Sequence, residues 1–200
     1  MKILFLGDSI TDCDHCFTED NLGNGYVKYV AAQLENASII NAGTDGFTFP
    51  RILQKWQSNY SSSSFDTVII SGGINDVSIM MNTGLTQEQS DDWFQHSMTA
   101  LQQLIDSLIS GHTKKVLILE PFLLPAPAYL SLWLPCLEKF RGQIRRIART
   151  FDTDTVHTIC VQDALDTLVR QKGVHAVTTD GIHLTAAGHQ CLARIVIASI

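Results

Sequence analysis

Ser9 stands in Gly7-Asp8-Ser9-Ile10-Thr11, directly after the apolar run that opens the chain. A serine hydroxyl is a poor nucleophile until a neighbouring imidazole takes its proton. The imidazole in turn needs a carboxylate to fix its tautomer and to steady the charge it acquires. Of the seven histidines, His183 stands out because it lies in the polar turn Thr179-Asp180-Gly181-Ile182-His183-Leu184. Asp180 is close enough in sequence for one short loop to present both side chains, and Gly181 lets that loop turn tightly. Ser9, His183 and Asp180 therefore read as nucleophile, general base and orienting acid of an acyl transfer. The plainer alternative is a helix-entry turn with a solvated aspartate and an idle histidine.

Attack on an ester carbonyl leaves a negative oxygen, and one donor aimed at it is worth roughly 3–4 kcal/mol. The candidate donors are the Ser9 backbone amide, the Gly43 backbone amide and the Asn75 side-chain amide. Asp8 and Asp76 adjoin Ser9 and Asn75, and both are expected to brace their loops by accepting backbone hydrogen bonds. Cys13-Asp14-His15-Cys16 follows closely on Ser9. Zinc takes three or four ligands, and no second ligand pair is evident, so this stretch reads as a polar thiol-bearing loop beside the site. Whether it touches substrate stays open. No lysine follows a glycine-rich run and no Gly-x-Gly-x-x-Gly follows the first strand, which argues against a phosphate loop. No metal and no cofactor are expected.

These residues need a frame that gathers them. KILFLG, SIIN at 38–41, DTVIIS at 66–71, KVLILE at 115–120 and VHTICV at 156–161 read as five strands. Between and after them the apolar spacing predicts helices over 25–34, 50–57, 90–109, around Leu137 to Ile147 and over 163–171. A last helix would carry Leu192, Ile195 and Val196 inward, with Thr185 as its cap. Strand and helix alternate, which implies a mostly parallel sheet covered on both faces. In such sheets ligands bind beyond the carboxyl ends of the strands. The first four strands end in Gly7-Asp8-Ser9, Asn41-Ala42-Gly43, Gly72-Gly73-Ile74-Asn75-Asp76 and Glu120-Pro121, so the polar residues gather on one predicted rim. No linker or internal repeat divides residues 1–200, and one domain is expected.

At this point the chain resembles the GDSL or SGNH family of serine esterases and lipases. The matching segments are GDSIT at 7–11, NAGTDG at 41–46, GIND at 73–76 and DGIHLT at 180–185, in the family's order. The resemblance implies Ser9 as nucleophile, Gly43 and Asn75 as oxyanion donors, and Asp180 and His183 as orienter and base. It implies a three-layer flavodoxin-like sandwich around a five-stranded parallel sheet. The form with GDSITD, LGNGYV, Glu-Pro and DGIHLT looks most like bacterial intracellular members, some of which remove acetyl groups from sugars or short xylan oligomers, often as oligomers. Related sequences often carry arginine or glycine after GDSITD, where this chain has Cys13-Asp14-His15-Cys16.

Composition narrows the partners. A formal charge of -6 disfavours a protein whose main task is gripping nucleic acid. The opening residues do not form a signal peptide, and no stretch spans a bilayer, so membrane insertion is not expected and the cytoplasm is. An odd count of five cysteines gives no disulfide framework. Cys160 and Cys191 are expected to be buried as small hydrophobes. The uncharged segment from Phe122 to Leu137 could mediate a homo-oligomer, wall an acyl pocket, or pack within the chain. The expected activity is hydrolysis of a small ester, with an acetylated sugar as candidate substrate. Thioester, peptide or lysophospholipid-type hydrolysis by the same triad, and a non-catalytic binding module, are the competing readings.

Overall fold

Alternation within the strands decides which helices cover which face. In the computed structural model, which describes all 200 residues, β1 (Lys2–Gly7) turns Leu4 and Leu6 to one side and Ile3 and Phe5 to the other. β3 (Thr67–Ser71) and β4 (Lys115–Leu119) split their residues in the same way. These strands are apolar on both faces because both faces are covered. With β2 (Ser38–Gly43) and β5 (Val156–Ile159) they form one parallel sheet in the order β2-β1-β3-β4-β5.

On one face lie α3 (Phe49–Asn59), α4 (Ile74–Asn82), α5 (Gln87–Ser110) and α6 (Leu134–Ala148). On the other lie α2 (Tyr26–Ala31), α7 (Gln162–Lys172) and α8 (Ala186–Ser199). The result is the expected three-layer α/β sandwich. Trp56 on α3 is 1% exposed, and truncating such a ring costs about 3–5 kcal/mol. α5 begins with a capping box, in which the Thr86 side chain accepts from the Gln89 amide and the Gln89 side chain accepts from the Thr86 amide. That pairing satisfies two of the free amides at its first turn.

Four expectations need correction. Ile74-Asn75-Asp76, expected at the loop end of β3, instead open α4, which starts after Gly73 at φ +103°. Cys160 is exposed, because β5 ends at Ile159 on the sheet edge and the next residue points outward; Cys191 is buried. Thr185 occupies the cap position of α8 but its side chain does not cap the helix; its hydroxyl donates to the Ala176 carbonyl at 2.7 Å. Ile195 is only partly buried. The apolar segment is divided between core and surface: Phe122, Leu123, Leu124, Leu130, Trp133 and Leu137 are buried. Tyr129, Leu132 and Leu134 are exposed, together with Pro125, Pro127, Ala128, Ser131 and Pro135, so part of the segment faces solvent.

Candidate active site

β1 lies between β2 and β3, with Gly7 paired to Gly43 on one side and to Ser71 on the other. The chain leaves β1 towards β2 and returns from β2 to β3 across it, so the end of β1 is the point where the strand order reverses. Adjacent strands lie about 4.8 Å apart, which brings the ends of β2, β1 and β3 side by side. Ser9 is the first residue of a single helical turn, α1 (Ser9–Asp12), capped by Asp8, whose Oδ1 accepts from the Ile10 amide at 3.0 Å. No hydrogen bond engages the Ser9 amide, one of the free donors of a helix start.

His183 Nε2 lies 3.0 Å from Ser9 Oγ, and His183 Nδ1 lies 2.6 Å from Asp180 Oδ2. The loop holds itself in this shape. Asp180 Oδ1 accepts from the Ile182 and His183 amides at 2.9 and 2.7 Å, and the Thr178 hydroxyl donates to the His183 carbonyl at 2.7 Å. Gly181 has φ +92°, and a Cβ there would come within 2.3 Å of the Ala126 carbonyl oxygen. Its carbonyl accepts from the Leu124 amide at 2.8 Å. The apolar segment after β4 is therefore the back support of the histidine loop. Burial works against charge on Asp180, but the hydrogen bonds from His183 and Ile182 outweigh it and hold the carboxyl below the usual range. A carboxylate on Nδ1 leaves the Nε2 lone pair directed at the serine.

The expected oxyanion donors are placed as follows. Gly43 ends β2 against α1, and a Cβ there would come within 2.2 Å of the Asp12 amide nitrogen. Its own amide is engaged, donating to Asn41 Oδ1 at 2.9 Å. Asn75 lies in the first turn of α4, not in a loop, and donates through Nδ2 to the Phe47 carbonyl at 3.0 Å. An amide group has two N–H bonds, so one is left.

The two neighbouring aspartates are buried. Asp8 is pushed up to about 7 by burial and by Asp76, against the pull of Ile10 and His183. Asp76 is raised to about 6 by burial, against hydrogen bonds from Ser97 Oγ at 2.6 Å and the Phe49 amide at 3.2 Å. Asp76 thus ties the start of α3 to α4 and α5. Glu120, on the same rim, is buried and pairs through both oxygens with Arg145 at 2.7 and 2.5 Å. That makes it part of the frame beneath α6.

Two residues to which the sequence assigned no role, Asn41 on the predicted rim and Lys55, shape it. Asn41 donates to the Thr11 and Leu22 carbonyls at 2.7 and 2.8 Å, stapling β2 to the loops after β1. Lys55, half-buried on α3, donates to the Gly43 carbonyl at 3.0 Å and the Thr44 hydroxyl at 2.6 Å. A lone lysine on an amphipathic helix carries no signal of such a role. The row of three stands on an open rim, with the Asp180 and His183 side chains about half exposed.

The sequence profile of the GDSL-like lipase/acylhydrolase family matches residues 5–191. The chain belongs to that family. Its chemistry is therefore acyl-ester hydrolysis. An acetylxylan esterase of Geobacillus stearothermophilus is 26% identical over 212 residues, spanning 100% of this chain and 93% of that protein. Among solved structures, that organism's acetylxylan esterase Axe2 superposes with a TM-score of 0.82 at 24% identity, over 98% of this chain and 92% of that one. LAE5, an alpha/beta hydrolase from the metagenome of Lake Arreo, gives 0.83 at 24% identity, over 99% of this chain and 94% of that one. At that identity the structural likeness speaks for the fold. No helix of this GDSL-like acylhydrolase is long and apolar enough to cross a membrane.

Proposed function

We propose that this chain is a serine carboxylic-ester hydrolase that removes short acyl groups, acetyl above all, from a carbohydrate or another small ester. The observation that carries the reading is the continuous row from Ser9 Oγ through His183 to Asp180, at 3.0 and 2.6 Å. His183 takes the Ser9 proton through Nε2 as Oγ attacks the carbonyl. Asp180 holds the resulting imidazolium. The negative oxygen is met by the free Ser9 amide and by the spare N–H of Asn75. It can use the Gly43 amide only as a bond shared with Asn41. The alcohol leaves with the proton from His183, and a water activated by the same nitrogen releases the acyl group from Ser9.

The acetyl preference is supported by the likeness to a protein named as an acetylxylan esterase. The open rim supports a bulky alcohol portion, because a sugar ring can stay largely in solvent while its ester reaches Ser9. Five unpaired thiols suit a reducing, cytoplasmic setting.

The test is a panel of acetylated xylo-oligosaccharides, other acetylated sugars, longer-chain esters and acyl thioesters, with mass spectrometry of the trapped protein. The expected result is an acyl adduct on Ser9, fastest turnover on acetyl esters, and loss of nearly all turnover in Ser9→Ala with the fold retained. A variant that keeps most of its rate removes Ser9 from the chemistry, and a strong preference for thioesters removes the deacetylase reading.

A further inference from the structure

Three residues outside the Ser9–His183–Asp180 row form a second row of their own. Asp12 ends α1, and His15 begins the 3-10 turn His15–Phe17 that follows. Between them Cys13 and Asp14 have φ of +42° and +62°, two consecutive non-glycine residues in the left-handed region. Side chains avoid that region unless the surroundings hold them there, and such residues gather at functional turns. Here the turn folds His15 back onto Asp12. His15 Nδ1 lies 2.7 Å from Asp12 Oδ1, and the His15 amide donates to the same oxygen at 3.2 Å. The other oxygen of Asp12 accepts from the Asp45 amide at 3.2 Å, which fixes the carboxylate.

A carboxylate at Nδ1 holds the ring proton there and leaves the Nε2 lone pair free. Cys16 Sγ lies 3.4 Å from that Nε2. The side chains of His15 and Asp12 are 13% and 18% exposed, so base and orienter are sheltered. Cys16 itself is open to solvent, and the adjacent Phe17, 89% exposed, does not fold over it.

We propose that Cys16 is a reactive thiol, activated by His15 and Asp12, and a site of mixed-disulfide formation with low-molecular-weight disulfides. His15 Nε2 takes the thiol proton as the Cys16 sulfur attacks one sulfur of the small disulfide. The S–S bond breaks and its electron pair leaves on the second sulfur, which receives the proton from His15. Cys16 is oxidised to the mixed disulfide and one molecule of small thiol is released. No residue of this row belongs to the ester site, so the inference stands whether or not Ser9 is the nucleophile.

Cys160 supplies a control within the same molecule. It is also exposed and lies in the field of Arg145, but no imidazole is hydrogen-bonded to it. The intact protein is treated with limiting oxidised glutathione, and the rate of modification of each cysteine is followed by peptide mass spectrometry. Cys16 is expected to react about tenfold faster than Cys160, a modest demand beside the roughly hundredfold or more of a positioned base in a closed site. His15→Gln should bring Cys16 down to the rate of Cys160 while ester turnover of the unmodified protein is unchanged. Equal rates at the two cysteines in the wild type, or a Cys16 advantage that survives His15→Gln, would overturn the assignment.

Discussion

Ser9 Oγ lies 3.0 Å from His183 Nε2, and Cys13 Sγ, one helical turn further along the chain, lies 3.3 Å from His189 Nε2. The two pairs differ in what occupies the other ring nitrogen. His183 Nδ1 faces the Asp180 carboxylate, whereas His189 Nδ1 accepts the Tyr26 backbone amide at 3.3 Å. An amide donor at Nδ1 forces the ring proton onto Nε2, so His189 donates to the thiol and cannot take its proton. Burial, aided by the field of His183, lowers His189 to about 4, and burial pushes Cys13 up to about 12. The inner pair is a neutral spacer beneath α2. In the proposed mechanism the outer pair is a base and a nucleophile. A histidine beside a nucleophile becomes a base through its second partner and its access to water, not through proximity.

Asp180→Asn is the sharpest way to break that contrast. An asparagine amide can donate to His183 Nδ1 and impose on it the tautomer of His189. The expected fall in kcat toward an acetyl ester is about 10²- to 10⁴-fold, with KM little changed. A variant within a few-fold of wild type would show that the outer pair does not depend on its carboxylate. Next in size is Asn75→Ala. Losing one oxyanion donor lowers kcat by about 10²- to 10³-fold. Asn75 also holds the Phe47 carbonyl, so steady-state kinetics should be read with a thermal melt. A kcat loss with unchanged KM and melting supports donation to the oxyanion, and a loss carried by KM and melting supports a purely structural role.

The contrast also marks how far the sequence was legible. Five strand runs were readable because β-branched and aliphatic residues crowd into short stretches that end in glycine, and helices between them force parallel order. α4 was hidden because Ile74-Asn75-Asp76 after two glycines reads as a turn, and only the fold shows Gly73 launching a helix. Cys160 was misplaced because an apolar run does not reveal which strand lies at the sheet edge. In the segment from Phe122 to Leu137, composition could not separate the six buried side chains from the exposed Tyr129, Leu132 and Leu134. Within the site, residue types and spacing pointed to Ser9, Asp180 and His183. The engagement of the Gly43 amide by Asn41, and the opposite tautomers of two nearby histidines, arise from contacts between segments far apart in sequence.

The smallest expected effect tests the inner pair. A glutamine at 189 can accept from Tyr26 and donate to Cys13, so His189→Gln should fold and keep wild-type kcat. Its stability should differ from wild type in a pH-dependent way. The folded protein holds His189 at about 4 against an ordinary value of 6.5. Between those values the unfolded chain binds more protons at this residue than the native one. The wild type therefore loses stability through this group as pH falls from about 6.5 towards 4, and regains it above. Glutamine does not titrate, so the variant should gain on the wild type as the solution is acidified through that window, and run parallel to it above pH 7. Urea midpoints at matched pH values measure the difference. A constant offset from pH 4 to pH 8 would mean that His189 is not held neutral by its surroundings, and the distinction between the two histidines would then rest on the carboxylate of Asp180 alone.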